Sequence, residues 1–168
     1  MARLAAAPDP EALSLATQVR VIYGDTDRMG IVYHGTYLRF MEHARVEFMR
    51  NHGVVYAALE REGYGLPVID LALSYLAPAR YDDLVSLWVG ITKVGYARLN
   101  FCYELSVEPG DRHGLESRIV LLHATTQHGC TRLEDGRATR MPEHTYERLR
   151  AIVDTTTSPE RNTWNANI

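Results

Sequence analysis

The chain has 168 residues, 46% of them hydrophobic, and a formal net charge of −3. That length and apolar content suit one globular domain with a core of its own, and the scattered basic residues exclude nucleic acid as the main partner. No run of about 18 apolar residues exists to span a bilayer, and the opening MARLAAAPDPEALSLA, interrupted by Pro8, Asp9, Pro10 and Glu11, makes a poor signal peptide.

Residues 1–16 read as a flexible N-terminal segment, 17–153 as the domain and 154–168 as a flexible tail. TQVRVIY (17–23) alternates as a strand, with Val19, Val21 and Tyr23 on one face. YGDTDRMGIVYHG (23–35) follows as a loop carrying Asp25, Asp27 and His34. From Thr36 to Asn51 the apolar set Tyr37, Phe40, Met41, Ala44 and Phe48 has helical spacing, and Gly53 sits where a helix stop belongs. Four strand-like runs come next: 66–79, interrupted by Pro78; 84–94; 98–107, the cleanest alternation in the chain; and 116–128. In 98–107, Leu99, Phe101, Tyr103, Leu105 and Val107 oppose Arg98, Asn100, Cys102, Glu104 and Ser106, so one face is expected in the core and the other against polar surroundings. MPEHTYERLRAIV (141–153) reads as a terminal helix with Pro142 near its first position. One strand, one long helix and four strands in meander give an α+β layer arrangement, an antiparallel sheet wrapped on the helix. The open edges of such a sheet favour association into a homodimer or homotetramer.

Cys102 and Cys130 lack CxxC spacing and are too few for a disulfide framework, so a soluble, cytoplasmic protein is expected. DTDRMG begins like a calcium loop, but the fifth and twelfth positions hold Met29 and Thr36, which cannot replace a hard oxygen ligand and a bidentate glutamate. MEHAR (41–45) has no second histidine for a zinc-binding HExxH helix, and His43 reads as a helix-face residue. No GxSxG, GxGxxG or GxxxxGK[ST] occurs. No metal and no cofactor are expected. Two readings of the Asp25–Gly35 loop stay open on spacing alone. One is a solvated turn. In the other, a carboxylate faces a carbonyl held at the helix N-terminus, where unpaired backbone N–H groups and the helix dipole stabilise developing negative charge.

Residues 19–50, VRVIYGDTDRMGIVYHGTYLRFMEHARVEFMR, closely resemble the opening of the hotdog-fold acyl-CoA thioesterases. The branch in question contains the 4-hydroxybenzoyl-CoA and Tol-Pal-associated thioesterases. Its signature is aromatic–x–D–T/C–D–x–x–G–I/V–V–Y/W–H/Y, then a helix bearing an ExAR-like segment, and the resemblance extends over roughly 17–150. It implies a hotdog fold and hydrolysis of an acyl-CoA or acyl-carrier thioester. The implied catalytic residues are Asp27, as nucleophile or general base, and His34, orienting water or substrate. The backbone N–H groups of His34 and Gly35 would hold the oxyanion, Asp25 would cap its own turn, and Tyr33 and Tyr37 would line the acyl pocket. The family's basic phosphate-binding cluster falls on KVGYAR (93–98), where Lys93 and Arg98 flank an uncharged centre and are the substrate-binding candidates. The active site would lie between protomers. A non-catalytic acyl-thioester-binding hotdog domain is the alternative, although a pure binder has no need of a carboxylate beside the thioester. A hotdog hydratase would carry its own motif around a different helix.

Overall fold

A computed structural model describes residues 5–156, with side chains to 154. The long helix α1 (Thr36–Asn51) forms where its spacing predicts, burying Tyr37, Phe40, Met41, Ala44, Phe48 and Met49. It ends in a Schellman motif: the Val54 N–H donates to Met49 O (2.8 Å) and the Gly53 N–H to Arg50 O (2.9 Å), with Gly53 at φ +77°. A Cβ at position 53 would be strained in that conformation and would also meet the Arg148 side chain.

The main sheet contains β1 (Ser14–Arg20), β3 (Val68–Tyr75), β4 (Leu84–Val94), β5 (Arg98–Val107) and β6 (Ile119–Gly129), all pairs antiparallel, in the order β1-β4-β5-β6-β3. The meander expected of four consecutive strands therefore holds only for β4-β5-β6. β3 crosses to the far edge and pairs with β6, Ala72 opposite Thr125. Pairing partners are a tertiary outcome that strand periodicity does not specify. Helix α2 (Tyr56–Arg61) and the short ribbon of β2 (Tyr64–Gly65) with β7 (Thr131–Arg132) are additional elements, too short to carry a periodic signal. Helix α3 (Glu143–Thr156) follows Pro142 directly and stacks Tyr146 on Tyr96, ring centroids 4.4 Å apart.

The domain start expected at residue 17 falls inside β1, because the chain is already extended at Ser14. A 3-10 turn at Pro10–Ala12, capped by the Asp9 side chain on the Glu11 N–H, precedes it. Ala12 O lies where a Cβ on Gly90 of β4 would sit, so glycine permits the close crossing. Residues 1–4 of the expected N-terminal segment and 157–168 of the expected tail lie outside the described residues. The second face of β5 meets polar groups, as expected, but is covered in places: Cys102 and Ser106 are buried. Ser106 Oγ accepts from Trp88 Nε1 (3.1 Å) and from Arg118 (3.0 Å) and donates to Glu108 (2.6 Å). Burial pushes the Cys102 thiol up to about 11, which leaves it a small inert hydrophobe.

The core lies between α1 and the inward residues of the sheet, with Phe48 edge-on to Phe101 at 6.2 Å. A chain of buried hydrogen bonds runs through it. His128 Nδ1 contacts Leu66 O at 2.8 Å, and a carbonyl only accepts, so Nδ1 carries the proton. Nε2 then accepts from the Thr126 hydroxyl (2.9 Å), whose oxygen accepts from Tyr103 OH (3.0 Å). Protonation of Nε2 would take away the acceptor of the Thr126 hydroxyl and force that link to reverse, while the bond to Leu66 stays. Burial, helped by the nearby Arg45 charge, lowers the His128 pKa to about 4 despite the bond to Leu66. A folded-state pKa below the ordinary 6.5 means that the unfolded chain binds the proton first. His128 thus favours the fold fully above pH 6.5, and that contribution is lost as pH falls from 6.5 toward 4. The loss is on the order of 3 kcal/mol. Thermal midpoints across that window should fall less in His128→Gln than in the parent, and equal slopes would contradict the assignment.

Candidate active site

The loop after β1 is held on both sides. The Val21 N–H donates to Asp83 O (2.9 Å), and the Val32 N–H donates to Ala79 O (2.9 Å). Asp25 is buried and anchors the turn. Its Oδ2 accepts the Ile22 N–H (3.1 Å), its other oxygen pairs with Arg39 of α1, and its carbonyl accepts the Tyr33 N–H (2.9 Å). This is the turn-capping role expected of an Asp in such a loop. Asp27 begins a tight turn in which its carbonyl accepts the Gly30 N–H (2.9 Å) and its N–H donates to Ile31 O (2.9 Å). Gly30 takes φ +74°, which the turn requires. Asp27 Oδ1 accepts the Met29 N–H at 2.8 Å; among the described residues no protein donor engages Oδ2.

Asp27 and His34 line one cavity of about 300 Å³, with Tyr37 and the wall formed by Tyr75, Leu76, Ala77 and Pro78. That volume is at the small end of ligand pockets. His34 is exposed, its ring tilted against Tyr33 at 4.2 Å. The amides of His34 and Gly35, just ahead of α1, donate to no backbone acceptor among the described residues. Unengaged N–H groups at the positive end of a 16-residue helix suit a developing oxyanion. Tyr37 is both core and lining: its ring is 3% exposed and its hydroxyl accepts the Ala79 N–H at 3.0 Å. Burial raises its pKa, which keeps the phenol protonated.

The other sequence candidates lie elsewhere. Tyr33 is exposed beside His34 and is not part of the cavity lining. Lys93 and Arg98 are exposed at the far ends of β4 and β5. The loop enters beside Leu84, paired with Arg20, so Lys93 is nine residues away along β4, roughly 30 Å at strand rise. Sequence reasoning missed the Tyr75–Pro78 wall; Pro78, ending an otherwise extended run, was its one visible signal. Among the described residues no group of three His, Cys, Asp or Glu side chains could hold a metal ion.

A second depression, about 440 Å³, opens along the same helix. Leu38, Met41, Glu42 and Arg45 line it from α1, with Val68 and Leu71 from β3.

Comparison with known proteins identifies the family. Residues 21–149 match the thioesterase-like superfamily. Acyl-CoA thioester hydrolase YbgC of Escherichia coli O6:H1 is 41% identical over 83 residues, 49% of this chain and 62% of that protein. Acyl-CoA thioesterase YbgC of Haemophilus influenzae is 33% identical over 116 residues, 68% of this chain and 79% of that protein. Among solved structures, a hypothetical protein from Thermus thermophilus superposes with a TM-score of 0.71 at 32% identity, covering 83% of this chain and 97% of that one.

Proposed function

Because this chain belongs to the thioesterase-like superfamily and is a thioester hydrolase, we propose that the Asp27–His34 cavity is where it cleaves acyl-CoA. One observation carries the proposal: a half-buried carboxylate with a free oxygen shares a cavity with His34, whose backbone amide, just ahead of a helix N-terminus and next to that of Gly35, is unengaged. The thioester carbonyl sits with its oxygen toward the His34 and Gly35 amides, which gain strength as negative charge develops. Asp27 either attacks the acyl carbon or takes a proton from the water that does. The C–S bond breaks, the acyl group leaves as the free acid and coenzyme A leaves as the thiol. His34 orients water or substrate at the cavity mouth. Lys93 and Arg98 are too far along the sheet to meet a substrate in their own chain's cavity.

The proposed reaction takes place in the cytoplasm. No helix among the described residues is long and apolar enough to cross a membrane. Both cysteines are free and buried, which suits a reducing compartment. The enzyme is proposed to work as a homodimer or homotetramer. Edge strand β3 leaves Val68, Ile69, Leu71 and Tyr75 between 41% and 51% exposed, an apolar edge that an isolated protein would have to protect. Antiparallel pairing of two β3 edges about a two-fold axis sets the Val68 end of one strand by the Tyr75 end of the other. The second depression of one protomer then abuts the Asp27 cavity of its partner. Sedimentation is expected to give a dimer or tetramer at assay concentrations, and a fully active monomer would contradict a shared site.

A thiol-release screen across aliphatic and aromatic acyl-CoAs tests the function. Turnover of at least one member is expected, and none on either class would contradict the proposed substrate.

A further inference from the structure

The hydroxyl of Tyr75 reaches across from the edge strand and donates to the backbone carbonyl of His34 at 2.7 Å, bridging 41 residues. Its ring packs edge-on against Tyr37 at 5.6 Å and forms part of the cavity wall. The bond falls on the peptide unit between His34 and Gly35, immediately before α1 begins at Thr36. No peptide bond in the described chain is cis. In a planar trans peptide the carbonyl and the following N–H point in opposite directions, so fixing one aims the other. Gly35 has no side chain to pack and gain rigidity from, and neither its amide nor that of His34 is tied to a backbone acceptor. Of the hydrogen bonds among the described residues, only the Tyr75 contact holds this carbonyl.

We propose that Tyr75 is a positioning residue for the oxyanion site: its hydroxyl locks the His34–Gly35 peptide plane and so aims the Gly35 amide. The inference rests on the reading of the Asp27–His34 cavity as the site of thioester cleavage. Tyr75 supplies no proton and touches no reacting atom. It removes the need for the peptide to reorient as charge builds on the thioester oxygen, which is how preorganised donors lower a barrier. Such an effect is felt in the transition state more than in the bound substrate, so it belongs in kcat and not in KM.

The experiment compares the parent, Tyr75→Phe and Tyr75→Leu with an acyl-CoA that the parent hydrolyses. Tyr75→Phe keeps the ring against Tyr37 and removes only the donor. Its kcat is expected to fall about 10-fold, less than the 10²–10³-fold that follows direct loss of an oxyanion donor, with KM nearly unchanged and an unaltered melting midpoint. Tyr75→Leu, which also loses the ring, should show a similar kcat loss with a lower midpoint. Parental kcat in Tyr75→Phe would overturn the inference, as would a rise in KM alone, which would make Tyr75 a substrate contact. A loss confined to Tyr75→Leu would overturn it too, by assigning the effect to ring packing. An inactive parent would instead overturn the reading on which the inference rests.

Discussion

Asp27→Asn should lower kcat for thioester hydrolysis by at least about 10²-fold, the low end for removing a positioned acid–base group. The amide keeps the size of the carboxylate and can still accept the Met29 N–H, so the turn should survive. What disappears is the negative charge and the nucleophilic oxygen. Substrate affinity should change little, because the lost interaction is made in the transition state. Asp25→Asn is the contrasting case. Asp25 is 5% exposed and spends its oxygens on the Ile22 amide and the Arg39 guanidinium, so its loss should weaken the fold more than the chemistry. Folded Asp25→Asn protein with no activity, beside a nearly normal Asp27→Asn, would exchange the two roles.

The second large effect is expected at Arg112. Its guanidinium makes a two-pronged contact with Asp83, Nε to Oδ1 at 2.8 Å and an Nη to Oδ2 at 2.6 Å, and also reaches Pro78 O at 3.0 Å. Asp83 is 2% exposed. Its Oδ2 also accepts the Arg80 N–H, and its backbone carbonyl holds Val21, so one aspartate ties the loop after β1 to the cavity wall. Arg112→Met would leave a buried carboxylate without its counter-charge. Breaking such a pair costs about 3–5 kcal/mol, and the low end applies here because Arg112 has some contact with solvent. Urea unfolding should show this as a lower midpoint with an unchanged slope. The double variant Asp83→Leu/Arg112→Met should recover much of the loss, since it removes the charge instead of stranding it. A single variant within about 0.5 kcal/mol of the parent, as for an ordinary surface change, would reduce the pair to a surface contact.

Legibility in the sequence followed the range of the interactions. α1 was readable because its buried face repeats every three to four residues and Gly53 marks its end. The catalytic-loop candidates were readable because Asp25, Asp27, Gly30 and His34 sit within one short motif. The strands were readable singly from alternation, but not their order: nothing local in 66–79 says that it pairs with β6. Cys102 and Ser106 fall on the polar side of the alternation, yet their burial was not legible, because a two-residue period assigns faces without saying what covers each. Glu108 and Arg118, two of the partners that cover Ser106, lie beyond the β5 pattern itself. The same limit explains the missed cavity wall. The Tyr75–His34 and Arg112–Asp83 contacts join residues 41 and 29 positions apart, and no local pattern encodes them.

Whether this cavity hydrolyses a thioester or merely holds one is decided by measuring bound ligand and released thiol side by side, for the parent and Asp27→Asn with the same acyl-CoA. Hydrolysis at this cavity requires similar affinity in both proteins, with thiol release lower by at least about 10²-fold in Asp27→Asn. A parent protein that binds the acyl-CoA yet releases no more thiol than Asp27→Asn would make the cavity a binding site only.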